Sequence, residues 1–123
     1  IKKRISIVKR YDKFFKDTIV KPLYIYDGKS SYHLYVVRVN FKKLNIDKSE
    51  LFKRLNEKKI GVQLHYMPIN KQPYYRELGY GTEYTPIMNQ YYDEAFSIPI
   101  YPDLSNEEQE YVMNTLIKLL YDK

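Results

Sequence analysis

Apolar residues recur along this chain at two different spacings, and the changes between them mark out its elements. Over residues 1–18, Ile5, Val8, Tyr11, Phe14 and Phe15 fall three or four apart with charges between them, which is the spacing of one helical face. No capping residue precedes the first turn. The helix is therefore expected to lead out of an upstream domain and, cut off from it, to fray or to lay its apolar stripe on a neighbour. Lys21-Pro22 closes this segment. Leu23–Tyr26 reads as a short strand and Asp27-Gly28-Lys29 as a turn. His33 to Val39 is almost continuously apolar and rich in β-branched and aromatic residues. It predicts a strand covered on both faces, with His33 inside it as a structural residue.

Asp47, three residues before Glu50, marks a helix start. Leu51, Phe52 and Leu55 give that helix its apolar face, Lys58 and Lys59 suit its C-terminal dipole, and Gly61 is expected to end it. Val62–Tyr66 reads as a second strand, with Val62, Leu64 and Tyr66 on one face and Gln63 and His65 on the other. Residues 68–81 read as a proline- and glycine-bearing loop with one helical turn near 74–78. Thr85-Pro86 opens a short helix running to about Ala95. Phe96–Ile100 is a third strand, placed at an edge by Pro99. Ser105 and Glu108 form a capping box, followed by Val112, Met113, Leu116, Ile117, Leu119 and Leu120 at helical spacing. Helices alternating with strands predict a two-layer α/β (α+β) domain whose small sheet is covered mainly on one side.

Composition narrows the chemistry. A chain of 123 residues supports one core rather than two. It has no cysteine and two histidines, which argues against disulfides, thiol nucleophiles and multi-histidine metal sites. No apolar run approaches the ~18 residues of a membrane span; no membrane partner and a cytoplasmic location are expected. The net charge of +6 resides entirely in residues 1–21, and the remainder is balanced. A nucleic-acid surface spreads its lysines and arginines over a folded face, so a helix with a basic wet side is the better reading and no nucleic-acid partner is expected. A binding module using this basic helix is the alternative function. Dinucleotide, phosphate-loop, nucleophile-elbow and zinc-protease signatures are all missing.

The segment with most chemistry is Gly61-Val-Gln-Leu-His-Tyr-Met-Pro-Ile-Asn70, followed by Lys71-Gln72-Pro73-Tyr74-Tyr75. The pattern predicts a strand running into a proline-fixed polar loop bearing His65, Tyr66, Asn70 and Gln72. On its own a lone histidine there reads first as a surface or hydrogen-bonded structural residue, and the loop can be read as one held by tyrosine packing.

Taken with Ser31-Tyr-His-Leu-Tyr-Val-Val-Arg38, Phe96-Ser-Ile-Pro-Ile-Tyr-Pro102 and Leu104-Ser105, this segment resembles the C-terminal part of the DegT/DnrJ/EryC1/StrS sugar aminotransferases. Within them it is most similar to the branch serving pseudaminic acid synthesis. The resemblance covers essentially the whole chain. It implies the small C-terminal domain of a fold type I pyridoxal-phosphate transferase: residues 1–20 a helix linking from a large domain outside this chain, residues 21–123 the small domain. The cofactor, its Schiff-base lysine and its phosphate cup would belong to that large domain, so this chain alone is expected to be inactive and to hold no cofactor. The intact protein is expected to be a homodimer that moves an amino group, with glutamate as donor, to a 4-keto-6-deoxy nucleotide sugar. By the same resemblance His65 faces the substrate cleft, orienting groups near the sugar or the cofactor lysine. Tyr66, Pro68 and Gln72 match the loop around it. Asn70 departs from the pattern, since many relatives carry a second histidine there, but the resemblance still implies that His65, Tyr66, Pro68, Asn70 and Gln72 together contact the substrate. A small domain kept as a stand-alone interaction partner is a third possibility.

Overall fold

The computed structural model describes residues 1–122. The elements run α1 (Lys2–Phe15), β1 (Lys21–Pro22), β2 (Tyr35–Arg38), α2 (Phe41–Leu44), α3 (Lys48–Glu57), a 3-10 turn (Ile69–Lys71), α4 (Pro73–Glu77), α5 (Pro86–Glu94), β3 (Ala95–Ile98) and α6 (Asn106–Tyr121). The three strands form an antiparallel sheet in the order β1-β2-β3.

Register explains which side of the sheet is dry. Tyr35 lies opposite Ile98 and Val37 opposite Phe96. Cross-strand partners share a face, so these four buried side chains form one apolar surface. Tyr11 of α1 packs on Tyr35 with ring centroids 4.8 Å apart, and Phe52 of α3 meets Phe96 edge-on at 5.3 Å. Both helices therefore cover the same side. Val112, Met113, Leu116 and Leu120 of α6 complete that core. The result is the expected two-layer α/β arrangement.

The apolar stripe of α1 is covered within the chain, contrary to the expectation that it frays or swaps. Val8, Tyr11 and Phe15 are fully buried. The Tyr11 hydroxyl donates to Pro99 O at 2.8 Å, and Tyr35 donates to Asp12 Oδ1 at 2.7 Å. The buried Gln109 amide donates to Ile7 O at 2.8 Å, tying α6 to α1. The basic side of α1 stays at the surface, where Lys3 pairs with Asp103 at 3.2 Å.

Side-chain caps fix three of the helix starts: Asn40 Oδ1 accepts from Lys43 N at the start of α2. Asp47 Oδ1 accepts from Ser49 N and Glu50 N. Ser105 Oγ accepts from Glu108 N at 3.1 Å while Glu108 Oε2 accepts from Ser105 N at 2.8 Å, satisfying two otherwise orphaned donors.

Several expectations need correction. Leu23–Tyr26 is not a strand: pairing stops at Pro22 apart from one Leu23 N–H bond to Val36 O. β2 is shorter than 33–39; His33 lies before it and is exposed, so its assigned place inside the strand fails. Val36 and Arg38 are only half-buried, so the second face of β2 is partly open. Gly61 does not end α3. Lys59 takes the left-handed turn, with φ at 62°, and Ile60 plugs the core. Among the described residues no helix is long and apolar enough to cross a membrane.

Candidate functional site

Beyond Ile60 the chain runs beside β3 but pairs with its backbone at only one bridge. Gln63 N donates to Ser97 O at 3.2 Å and Ser97 N donates to Gln63 O at 2.8 Å. Residues 62–66 are therefore one isolated bridge rather than the expected strand. The assumed alternation breaks with it: Val62 and Leu64 are half-buried, whereas Tyr66 is 76% exposed instead of joining the core face.

His65 is nevertheless held from two directions. Its Nε2 lies 3.1 Å from Ser97 Oγ, and its carbonyl accepts the Tyr91 hydroxyl at 3.2 Å. Phe96 and Ile98 point into the helical core, so Ser97, between them, points to the opposite face of the sheet. There it is buried by the segment carrying His65. The histidine thus stands on the side of the sheet that α1, α3 and α6 leave free.

The loop beyond is a folded excursion. Pro68 is buried and starts the 3-10 turn; Pro73 starts α4. Asn70 Nδ2 donates to Glu83 Oε2 at 2.8 Å, and Gly81 N donates to the same oxygen at 2.8 Å. The Asn70 amide, together with backbone N–H groups, holds the Glu83 carboxyl below its ordinary value. Gly81 has φ at +113°, and a β-carbon there would come within 3.2 Å of Asn70 O, so this clip requires glycine.

The five predicted residues are placed unequally. The Tyr66 ring stands edge-on to the His65 ring, with centroids 4.9 Å apart. Pro68 shapes the turn. Asn70 is engaged with Glu83 rather than with His65. Gln72 is exposed, and its role in the structure is its carbonyl, which accepts the Arg76 N–H of α4. A cleft of about 540 Å³ on the far flank of the Gln63–Ser97 bridge, lined by Tyr101, Leu104 and Tyr111 among others, does not include His65.

Apolar exposure concentrates around this loop. Between residues 66 and 87 nine large apolar side chains are exposed, among them Tyr84 at 93% and Ile87 at 84%, and neither α4 nor α5 has a buried residue. Surface of that kind marks a face made to be covered. At its margin Lys48 Nζ donates to Tyr92 O at 2.6 Å and Ala95 O at 3.2 Å. Burial lowers the pKa of this lysine, with Asp93 opposing.

Sequence reasoning missed Ser97, Tyr91 and Glu83. Ser97 carried a signal: it is the polar residue inside the apolar run Phe96–Ile100, and a buried hydroxyl seeks a partner. Tyr91 and Glu83 looked like any other surface residue.

A family model described as "DegT/DnrJ/EryC1/StrS aminotransferase family" matches residues 1–117. Spore coat polysaccharide biosynthesis protein SpsC of Bacillus subtilis is 32% identical over 119 residues, 94% of this chain and 31% of that protein. UDP-4-amino-4,6-dideoxy-N-acetyl-beta-L-altrosamine transaminase of Campylobacter jejuni is 33% identical over 122 residues, 98% of this chain and 32% of that protein. The solved structure of Helicobacter pylori PseC, an aminotransferase involved in the biosynthesis of pseudoaminic acid, superposes with a TM-score of 0.87 at 27% identity, covering 99% of this chain and 33% of that one. The chain spans about a third of the length of the curated relatives it matches. With 117 of its 123 residues matched, the chain belongs to the DegT/DnrJ/EryC1/StrS aminotransferase family.

Proposed function

We propose that this chain is the C-terminal small domain of a pyridoxal-phosphate-dependent aminotransferase. Its reaction transfers an amino group from an amino-acid donor, glutamate, to a 4-keto-6-deoxy nucleotide sugar in the cytoplasm. Residues 1–20 link it to a large domain, and residues 21–123 form one wall of the substrate cleft, with the loop from His65 to Gln72 facing the sugar. The 66–87 face is covered by that large domain and by the second subunit of a homodimer.

The observation that carries this reading is the junction of a fixed polar group with a bare apolar face. His65 is anchored to Ser97 and Tyr91, and the segment leaving it exposes nine large apolar side chains. A domain that fixes a histidine beside uncovered apolar surface is suited to closing one side of a cleft whose other side is supplied elsewhere. Similarity to the Campylobacter jejuni transaminase over nearly the whole chain supports the sugar class.

The residues present do not fit the cofactor itself. Pyridoxal phosphate needs a lysine free to form a Schiff base and a backbone cradle for its phosphate. Lys48, half-buried, spends two of its donors on backbone carbonyls, and Lys71, also half-buried, holds its ammonium 5.2 Å from the centre of the Tyr92 ring. Gly28, Gly61 and Gly79 face open space, and Gly81 closes the Asn70 clip. We therefore assign cofactor binding to the part of the protein outside this chain.

The test is glutamate-dependent amination of a UDP-linked 4-keto-6-deoxy N-acetylhexosamine by the longer polypeptide that carries this segment, followed by mass spectrometry of the sugar nucleotide. A product one amino group richer is expected. Absence of product with every keto sugar and amino-acid donor offered would overturn the proposal.

A further inference from the structure

We propose that Ser97 is a positioning residue that fixes the tautomer of His65, placing the ring proton on Nε2 and leaving Nδ1 as a hydrogen-bond acceptor. The consequence for sugar binding rests on the functional reading above; the tautomer does not.

Proton counting at one hydroxyl carries the argument. Ser97 Oγ has one hydrogen and two neighbours: Gln63 O at 3.3 Å and His65 Nε2 at 3.1 Å. A carbonyl can only accept. If Nε2 carries the ring proton, it donates to Oγ and Oγ donates to Gln63 O, so both contacts are hydrogen bonds. If instead the ring proton sits on Nδ1, the hydroxyl donates to Nε2 and its bond to Gln63 O is lost. The Nδ1–H would then be a buried donor without an acceptor, because Nδ1 has no partner among the described residues. The first arrangement makes two bonds and leaves one bare lone pair. The second makes one bond and strands a donor, the costlier omission. Ser97 is 6% exposed, so its hydroxyl is largely shielded from water.

A neutral His65 of this form cannot donate to a keto oxygen or a phosphate through Nδ1. It takes a bond, or a proton, from an N–H or O–H group of the bound molecule. Because Nδ1 is already shielded from water, that bond is made without stripping solvent from the ring. A donor therefore reaches Nδ1 only when a neighbouring group shifts, and Tyr66, exposed and edge-on to the imidazole, stands beside the ring.

The experiment is a long-range proton–nitrogen correlation spectrum of the ¹⁵N-labelled chain near pH 8, above the ordinary histidine pKa of about 6.5. Exposed His33 serves as the internal reference for a ring that no protein group among the described residues constrains. His65 is expected to show a protonated Nε2 and a bare Nδ1 with about tenfold excess over the other form, the ratio expected from one retained hydrogen bond. Ser97→Ala should move His65 toward the His33 pattern, and Ser97→Thr should restore it. A proton on Nδ1 in the wild type, a wild-type His65 indistinguishable from His33, or an unchanged tautomer in a folded Ser97→Ala variant would overturn the proposal. If the alanine variant does not fold, the wild-type comparison with His33 still decides. Failure of the functional reading is separate: it appears as full amination by a His65→Ala enzyme while the wild-type tautomer stands.

Discussion

Replacing Tyr11 by phenylalanine removes one hydroxyl from the core and leaves the ring in place. That hydroxyl donates to Pro99 O at 2.8 Å, joining α1 to the residue that follows β3, two positions from Ser97. A neutral hydrogen bond contributes about 1 kcal/mol net, and a carbonyl left unpaired in the interior costs about 1–3 kcal/mol. Pro99 is half-buried, so water recovers part of the loss, and Tyr11→Phe should destabilise the chain by about 1–2 kcal/mol. Tyr11→Ala removes the ring as well, from a fully buried position stacked near Phe15 and Tyr35, and should cost about 3–5 kcal/mol. Urea unfolding followed by circular dichroism measures both. The pH dependence adds a second check. Burial holds the Tyr11 phenol above its ordinary value; burial and then the Asp12 hydrogen bond do the same for Tyr35. The fold retains protons that the unfolded chain releases, so this stability is complete below about pH 10 and declines as pH rises beyond it. Tyr11→Phe should flatten that alkaline decline in part, with Tyr35 supplying the rest. A Tyr11→Phe chain as stable as the wild type, with the same alkaline slope, would refute the reasoning.

Three further outcomes are expected. Ser105→Ala breaks the reciprocal cap of α6 and should cost about 1–2 kcal/mol in the same urea assay; a loss under a few tenths would mean the cap contributes little. The Asn70–Glu83–Gly81 clip should respond to acid. The Glu83 pKa is depressed, so the clip is complete above the ordinary glutamate value of about 4.3 and is lost as pH falls through the lower folded value. The Gly81 amide resonance should titrate there, and its failure to move would dissociate Glu83 from the clip. Tyr84→Ser with Ile87→Ser, both at highly exposed positions, should change stability by less than about 0.5 kcal/mol. The double variant should weaken concentration-dependent association of the isolated chain in sedimentation, and undiminished association would place the sticky surface elsewhere.

The readable part of the fold followed from caps and helical spacing. Asp47 and Ser105 declare α3 and α6 through oxygen atoms that satisfy the first-turn amides, a local interaction that sequence spacing reports directly. Strands were harder because pairing is non-local. Val62–Tyr66 alternates like a strand, yet only Gln63 finds a partner, since β3 ends at Ile98 and turns away through Pro99. α2 is a single turn capped by Asn40, too short for any period to show. At the candidate site, His65 is singled out only by family resemblance. Its support was not legible: Ser97 and Tyr91 lie 32 and 26 residues away in sequence, and only folding brings them to the ring. Asn70 donates its amide nitrogen to Glu83, a partner 13 residues away that no spacing announces, and keeps its buried Oδ1 without a partner among the described residues.

The central claim, that this chain presents His65 to the substrate of an aminotransferase, is tested most directly by the steady-state kinetics of His65→Ala in the longer polypeptide. Amination should fall by at least about tenfold in kcat/KM, the loss expected for one orienting hydrogen bond in the transition state, while cofactor absorbance stays at the wild-type level. Unchanged kcat/KM with cofactor bound would contradict the account and leave His65 as a structural residue of the small domain.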